Sequence, residues 1–247
     1  MITGASDGIG LELAKIMAAG GYDLVLVARN QKRLEEIARE LKPARVRVLA
    51  KDLSVAGAAE EIQREVPQVD VLVNNAGFGV FGKFAETPLA DEVGMMQLNM
   101  TALVALTKLY LAGMVAAGRG RIMNVASTAA FQPGPLMAIY YATKAFVLSF
   151  SEAIANELDG TGVAVTALCP GPTATGFQER GQMQDSGLVK GKKIMDARTV
   201  AEAGYRAMLA GKTLVIPGVK NKLLAQSVRF SPRSLVTKLV RAMQEKV

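Results

Sequence analysis

Tyr140 and Lys144 are the two side chains of this sequence best placed to exchange a proton. Their spacing of four residues puts both on one face of a helix and brings the ammonium close to the phenol. A free phenol, with a pKa of about 10, is a weak base near neutrality, but an adjacent positive charge favours the phenolate. The pair predicts a tyrosine that gives and takes protons, although this spacing is also frequent by chance. Tyr141 competes for the role but has no lysine four residues further on, so we interpret it as a packing or pocket residue.

Composition limits which other groups could share this chemistry. The chain of 247 residues contains no histidine and a single cysteine, Cys169. An intrachain disulfide, a histidine proton relay and an ordinary zinc site are excluded, and we expect no metal. Any acid or base must be a tyrosine, a lysine or a carboxylate.

A glycine-rich segment, Thr-Gly-Ala-Ser-Asp-Gly-Ile-Gly at residues 3–10, precedes the first amphipathic segment. Gly4 allows a turn, Gly8 admits close backbone approach, and Gly10 lets a helix pack on a sheet. The pyrophosphate of a dinucleotide would face the free N–H groups of that helix. The residues of this turn that we predict to bind a cofactor are Gly4, Ser6, Asp7, Gly8, Ile9 and Gly10. Taken alone, three glycines could also be simple turn residues.

Short β-branched runs alternate with longer amphipathic segments, a pattern typical of parallel strands joined by helical crossovers. The predicted strands are 23–28, 45–50, 70–74, 120–126, 163–169 and 213–216. The predicted helices are 9–19, 31–41, 56–66, 89–117, 140–158 and 198–210. We expect one α/β domain over residues 1–247, a Rossmann fold with a doubly wound parallel sheet of about seven strands and helices on both faces.

The first strand is unusually short, because the opening residues leave room for only two strand residues before the first turn. A central parallel strand normally has about five. Either the start lies downstream of the natural one or the strand is truly this short. Both cases would weaken the sheet beside the cofactor site.

The G-x-x-x-G-x-G spacing of the turn resembles that of the short-chain dehydrogenase/reductase family. Further matches follow in order from residue 3 to about residue 218: Asp52-Leu53, Asn74-Asn75-Ala76-Gly77, and Pro170-Gly171 with Thr175. The chain is most similar to an NADP-dependent bacterial branch of the family, which implies no settled substrate. The resemblance implies cofactor contacts at Asp52, Leu53, Asn75, Ala76, Gly77, Tyr140, Lys144, Pro170, Gly171 and Thr175.

The resemblance also assigns catalytic roles. Ser127 follows a predicted strand and precedes Tyr140 by 13 residues, as the family serine does. Tyr140 would donate a proton to a carbonyl oxygen as hydride arrives, and Ser127 would hydrogen-bond that oxygen. Lys144 would lower the pKa of Tyr140 and bond the nicotinamide ribose. Asn99 matches the family asparagine that interrupts a helix and completes a water-linked proton path.

Arg29 stands where dinucleotide folds usually offer an acidic residue to the ribose 2′-hydroxyl. A guanidinium suits a 2′-phosphate through bidentate, charge-assisted bonds, so we predict NADP(H) rather than NAD(H). The competing interpretation is a surface residue after a strand. Asp7 weakens the argument, because some NADP-using relatives carry a basic residue at that position.

Residues 172–196 are rich in Gly, Gln and Thr, and the family uses this region as a mobile lid over the substrate. The candidate pocket walls are mostly apolar, which indicates a hydrophobic carbonyl compound or secondary alcohol. These candidates are Phe78, Val80, Phe81, Phe131, Leu136, Met137, Phe177 and Met183. Most of them could equally belong to the ordinary core.

Basic residues accumulate at the C-terminal end, where residues 188–247 hold thirteen of the 29 Lys and Arg but three of the 22 Asp and Glu. Residues 219–247 form a predicted basic amphipathic extension, with the apolar stripe Leu235, Val236, Leu239, Val240 and Met243 opposite Lys238, Arg241 and Lys246. We interpret it as a packing helix, and contact with an anionic membrane surface is the less favoured alternative. Nucleic acid is not expected, because aromatic interleaving and nucleic-acid motifs are missing.

Location and assembly rest on weaker signals. No apolar run approaches the ~20 residues of a membrane span and the N-terminus lacks the parts of a signal peptide, so we expect a cytoplasmic protein. The helix that begins at Tyr140 also presents Phe146, Phe150 and Ile154. Because relatives commonly pair through this helix and the one at 89–117, we expect a homodimer or homotetramer.

Two functions fit these patterns. The first is an NADP(H)-dependent oxidoreductase that moves a hydride between nicotinamide and a small-molecule carbonyl or secondary alcohol. The second is a non-catalytic module that senses NADP(H). A sensor would keep the glycine turn and Arg29 but would have no need of the four catalytic matches together, namely Asn99, Ser127, Tyr140 and Lys144.

Overall fold

The computed structural model describes residues 1–177 and 194–245. The strands in these residues are β1 (Ile2–Thr3), β2 (Leu24–Ala28), β3 (Val46–Ala50), β4 (Val71–Asn74), β5 (Gly120–Val125), β6 (Val163–Leu168), β7 (Thr173–Ala174), β8 (Met195–Asp196) and β9 (Leu214–Val215). Seven of them form one parallel sheet in the order β3-β2-β1-β4-β5-β6-β9. The predicted doubly wound sheet is confirmed.

Helices connect the strands as the periodicity predicts. They are α1 (Gly8–Ala19), α2 (Gln31–Glu40), α3 (Ala58–Glu65), α4 (Leu89–Met96), α5 (Leu103–Ala116), α6 (Ala138–Glu157), α7 (Ala197–Leu209), α8 (Val219–Ser227) and α9 (Arg233–Gln244). A π-helical segment, Gln97–Ala102, joins α4 to α5, so the predicted helix 89–117 is continuous but changes its winding. Asp7, Asn30 and Asp196 cap α1, α2 and α7, each side chain accepting a hydrogen bond from a backbone N–H of the first turn.

Each face of the sheet carries its own hydrophobic core. On one face Leu13 and Met17 of α1 pack against Ile2 and Leu26 of the sheet. On the other face the α5 and α3 side chains pack against Leu72, Ile122 and Val165. Helices therefore cover both faces, as predicted, and polar groups gather into a cleft at the carboxyl ends of the strands.

Strand β1 has the two residues that the sequence predicts and lies in the middle of the sheet, between β2 and β4. The Thr3 hydroxyl donates to the Val73 carbonyl oxygen at 3.3 Å. The Thr3 Oγ1 in turn accepts from the backbone N–H groups of Asn75 and Ala76, both at 3.0 Å. Thr3 thus ties the end of β1 to the end of β4. The strand order reverses between these two strands, and in such sheets ligands bind in the crevice at that point.

The helix over Leu89–Ala116 is long and apolar enough to cross a membrane by length and composition alone. This corrects the expectation that no apolar run approaches such a length. Leu106, Tyr110 and Met114 of this helix are buried in the core of one sheet face. A core helix passes the same test, so we assign it to the packing of the domain.

Candidate active site

A cleft of about 550 Å³ runs along the carboxyl ends of the parallel strands. The predicted site residues that line it are Gly4, Ser6, Asp7, Gly8, Ile9, Arg29, Asp52, Leu53, Asn75, Ala76, Gly77, Ser127, Tyr140, Lys144, Pro170, Gly171 and Thr175. Gly10 and Asn99 are the two predicted site residues that do not line it. Residues up to 171 positions apart in the sequence therefore meet in one cavity, because parallel strands end on the same side of the sheet.

The glycine turn is shaped to admit a ligand backbone against the N-terminus of α1. Gly8 has φ +57°, a conformation in which side chains are strained, and a Cβ there would stand 2.8 Å from the Thr175 side chain. A Cβ on Gly10 would overlap the Gly4 carbonyl oxygen. Gly10 thus acts behind the cleft wall, by close packing of helix on turn. A turn of this form followed by a 12-residue helix fits the pyrophosphate of a dinucleotide.

Asp7 joins the turn to the segment that follows β7. One of its carboxylate oxygens accepts from the Gly8 backbone N–H at 2.6 Å, and the other accepts from the Gly176 backbone N–H at 2.9 Å. The carboxylate therefore caps α1 and holds Gly176 over the turn at the same time. The rest of the predicted lid, residues 178–193, lies outside the described residues.

Two arginines line the far end of the cleft, Arg29 after β2 and Arg33 in the first turn of α2. Arg29 is exposed, and Arg33 is partly buried and pairs with Glu36 at 3.2 Å. The pKa of Asp52 is lowered mainly by its hydrogen bond with Ser54, with a further contribution from the positive charge of Arg29. The sequence interpretation missed Arg33. The available signal was a basic residue in the first turn of the helix that follows Arg29.

Ser127 and Tyr140 meet at the middle of the cleft. Ser127 lies just beyond β5 and caps the short 3₁₀ helix Thr128–Phe131, and its Oγ accepts from the Ala129 N–H at 3.1 Å. A hydrogen bond with Ser127 lowers the pKa of Tyr140, but burial outweighs it and raises the pKa to about 12. Both side chains line the cleft, where one ligand oxygen can contact both hydroxyls.

Lys144 is a buried cation beside Tyr140. Its ammonium lies 5.8 Å from the centre of the Tyr140 ring and donates to the Val125 carbonyl oxygen at 2.8 Å. Burial lowers the pKa of Lys144 to about 8. The pKa of Tyr140 is raised overall because desolvation of the phenol dominates, and the expectation that Lys144 lowers it stays a prediction. A phenol of this kind keeps its proton at neutral pH.

Asn99 lies in the π-helical segment and is 2 % exposed. Its Nδ2 donates to the Phe78 carbonyl oxygen at 3.0 Å and to the Thr143 hydroxyl at 3.1 Å, and its Oδ1 accepts from the Phe78 N–H at 3.2 Å. It therefore stands behind the cleft, where it fixes the loop after β4 to α6. A Cβ on Gly77 would lie 3.0 Å from the Asn99 Oδ1 and 3.6 Å from the Lys144 Nζ, so this glycine separates the two side chains. The water-linked proton path stays a prediction.

The substrate end of the cleft is apolar. Of the predicted wall residues, Phe78, Met137 and Phe177 line the cavity. Phe81 and Phe131 belong to packed clusters, Val80 and Leu136 do not line the cleft, and Met183 lies outside the described residues. Two wall residues that sequence reasoning missed as such, Leu224 and Met243, come from α8 and α9. Their signal was hidden, because the packing of the C-terminal helices against the cleft is a tertiary property.

The comparisons with known proteins agree with this geometry. Residues 1–185 match the family model described as short chain dehydrogenase. The chain belongs to the short-chain dehydrogenase family. This short-chain dehydrogenase is 31% identical over 250 residues to a ketoacyl reductase, HetN, of Nostoc, with 98% of this chain and 83% of that protein covered.

Two further matches add detail. A very-long-chain 3-oxoacyl-CoA reductase of Pyrenophora tritici-repentis is 36% identical over 176 residues, which cover 67% of this short-chain dehydrogenase. The match spans about half of that fungal protein, 52% of its length. A solved short-chain dehydrogenase of Sphingobium yanoikuyae in complex with NADPH superposes with a TM-score of 0.85 at 31% identity, covering 95% of this chain and 93% of that one. This short-chain dehydrogenase is therefore an oxidoreductase that acts on ketone or alcohol groups and uses a nicotinamide cofactor.

Proposed function

We propose that this short-chain dehydrogenase is an NADPH-dependent reductase of apolar ketones, with Tyr140 as the proton donor and Ser127 as the second hydrogen-bond donor to the substrate oxygen. The placement of Ser127 beside Tyr140 carries the proposal. The pair lies in the same cavity as the glycine turn and next to an apolar wall. Hydride donor, proton donor and apolar substrate can therefore meet in one cleft.

When bound along the glycine turn and near Arg29 and Arg33, NADPH would supply a hydride to the carbonyl carbon. Tyr140 gives its phenolic proton to the carbonyl oxygen, so the ketone becomes a secondary alcohol and a phenolate remains. Because the pKa of Tyr140 is about 12, the phenol is protonated at neutral pH and is ready to donate. Ser127 donates a hydrogen bond to the same oxygen while negative charge develops on it. Lys144 stabilises the phenolate by its positive charge, at 5.8 Å from the ring centre.

Arg29 and Arg33 support the preference for NADP(H). Both line the end of the cleft where the second strand stops. The acidic residue that would bond a 2′-hydroxyl and repel a 2′-phosphate is replaced there by Arg29. Two guanidinium groups offer charge-assisted bonds to a phosphate. The NADPH-bound relative agrees with this choice.

Turnover of NADPH with a panel of ketones of increasing apolar bulk tests the proposal. We expect Tyr140→Phe to lower kcat by about 10²- to 10⁴-fold, because the proton donor is lost. Tyr141→Phe is the matched control, since Tyr141 stands next in the sequence, lines the same cavity and meets the Tyr140 ring edge-on at 6.0 Å. An equal loss in both variants would contradict the assignment. Cofactor binding without turnover of any ketone would favour the NADP(H) sensor instead.

We also propose that the protein forms a homodimer or homotetramer in the cytoplasm, through the faces of α4 and α6. Leu89 and Val93 of α4 are 75% and 49% exposed, and Phe146 of α6 is 41% exposed. The Phe146 and Phe150 rings stack at 5.9 Å on the outside of α6. Apolar faces of this kind are typical of contacts between identical subunits.

A further inference from the structure

Residues 219–245 comprise α8, a short 3₁₀ turn and α9, and we call them the C-terminal helix pair. They expose large apolar side chains at high density. Half of the fourteen exposed large hydrophobic residues among residues 1–177 and 194–245 belong to this pair. They are Val219, Leu223, Leu224, Phe230, Leu235, Leu239 and Met243. Phe230, at the turn between the helices, is 89% exposed.

Helix α9 carries two apolar stripes on adjacent faces. The inner stripe, Val236 and Val240, is buried in a cluster with Tyr141 and other residues of the catalytic cleft. The outer stripe consists of Leu235, Leu239 and Met243, which are 49%, 55% and 44% exposed. The inner stripe is sufficient to seat the helix on the domain. The outer stripe is then an apolar surface that faces solvent in the described structure.

Positive charge surrounds this surface. The pair carries six exposed cations, which are Lys220, Lys222, Arg229, Arg233, Lys238 and Arg241. Glu245 is its single carboxylate, and it is paired with Arg241 at 3.0 Å. Long basic side chains can lay their stems along apolar surface while their charged ends reach outward. Apolar groups that penetrate and cations that bind headgroups are the two elements of an interfacial helix.

The charge distribution favours a lipid surface over a second copy of this chain. A twofold contact would place the same patch on both partners and bring six cations against six. An anionic bilayer offers opposite charge to the cations and hydrocarbon to the outer stripe. Each cation near such a surface strengthens binding by roughly fivefold at moderate salt.

The position of the pair links the surface to the reaction. Leu224 of α8 and Met243 of α9 line the same cleft as Tyr140. Met243 also belongs to the outer stripe, so the apolar surface continues into the apolar end of the cleft. A ketone dissolved in a bilayer could move along this surface without crossing water.

We propose that the C-terminal helix pair docks on an anionic lipid surface and that apolar ketones enter the cleft from it, past Leu224 and Met243. The docking stands on the surface alone, whereas the entry of ketones rests on the proposed function. Two separate measurements keep these parts distinguishable. Vesicle sedimentation measures docking and requires no turnover. Turnover of a water-soluble ketone measures the proposed function and requires no lipid.

Sedimentation with vesicles tests the docking. We expect the full-length protein to bind phosphatidylcholine vesicles that contain phosphatidylglycerol, to bind pure phosphatidylcholine at least roughly tenfold more weakly, and to dissociate as salt rises. The double variant Leu235→Gln/Leu239→Gln should lose binding, and Arg229→Glu/Lys238→Glu should lose it at low salt. The matched controls Val55→Gln/Leu209→Gln and Lys108→Glu, at exposed sites outside the C-terminal helix pair, should bind as the unchanged protein does.

Binding that is equal on both vesicle types, or unchanged in the outer-stripe variant, overturns docking. So does an outer-stripe variant that shifts the oligomeric state in gel filtration without altering vesicle binding, because a second copy is then the occupant. Salt-sensitive binding to an acidic protein but to neither vesicle also overturns it. For ketone entry, the outer-stripe variant should slow turnover of a long-chain ketone embedded in vesicles and leave turnover of a water-soluble ketone unchanged. Equal slowing of both overturns that part.

Discussion

The carboxyl edge of the sheet buries polar groups, whereas the C-terminal helix pair exposes apolar ones. At the sheet edge, polar groups are buried and fixed by the backbone, as in the bond from Lys144 to Val125 and the bonds between Asn99 and Phe78. In the helix pair, apolar groups such as Phe230 and Leu239 are left exposed. Burying a polar group and exposing an apolar one both cost free energy. We therefore propose that each of the two regions binds a ligand at some cost in the stability of the fold.

The largest predicted effect is a loss of catalysis at the carboxyl edge of the sheet. Ser127→Ala removes a donor to the substrate oxygen and should lower kcat for ketone reduction by about 10²- to 10³-fold. Thr128→Val, the next residue along the same cleft, is the control and should leave kcat nearly unchanged. Steady-state kinetics with NADPH measures both. A rise in KM with unchanged kcat would show that Ser127 binds substrate without stabilising the charge that develops.

A matched pair of leucines compares the sheet with the helix pair in stability. Leu26 is 0% exposed in β2, whereas Leu239 is 55% exposed in α9. Leu26→Ala should lower the free energy of unfolding by about 3 kcal/mol, because a cavity forms in a packed core. Leu239→Ala should change it by less than about 0.5 kcal/mol. Urea unfolding gives both values, and similar losses would mean that the outer stripe packs against something in solution.

Lys144 tests the stability cost of the buried charge. Its pKa of about 8 in the folded protein lies below the 10.5 of an exposed lysine, so the unfolded chain binds more protons between these pH values. The folded state therefore bears the full penalty below pH 8, up to about 3 kcal/mol, and loses it as pH rises to about 10.5. Lys144→Met, which carries no charge, should be stabilised relative to the unchanged protein at pH 7 and lose that advantage by pH 10. Unfolding of both proteins across this range measures the difference, and a constant difference contradicts the lowered pKa.

The smallest effect concerns cofactor choice at the exposed end of the cleft. Arg29→Ala should raise KM for NADPH by about 10- to 100-fold, since a charge-assisted bond to the 2′-phosphate is lost. KM for NADH, which lacks that phosphate, should hardly change. Arg39→Ala, an exposed residue of α2 away from the cleft, is the control. A parallel rise in both KM values would place Arg29 elsewhere on the cofactor.

Local patterns predicted most of the site, because glycine turns and strand ends depend on residues that are consecutive in the sequence. The glycine turn, Ser127 and Tyr140 meet in the cleft as expected. Leu224 and Met243 were not assigned to it, since their approach to the cleft depends on how a C-terminal segment packs on the finished domain. The rise of the Tyr140 pKa was not predicted for the same reason. A lysine four residues away can be read from the sequence, but the depth at which the phenol is buried cannot.

Asp7 gives the cleft a mechanical property. One carboxylate serves two backbone amides, Gly8 at the nucleotide cradle and Gly176 at the root of the predicted lid. Gly8 follows β1 and Gly176 follows β7, two strands that are far apart in the sequence. Both glycines are held by the same side chain. Because one carboxylate bonds both amides, we expect Asp7→Ala to loosen the glycine turn and the Gly176 segment together.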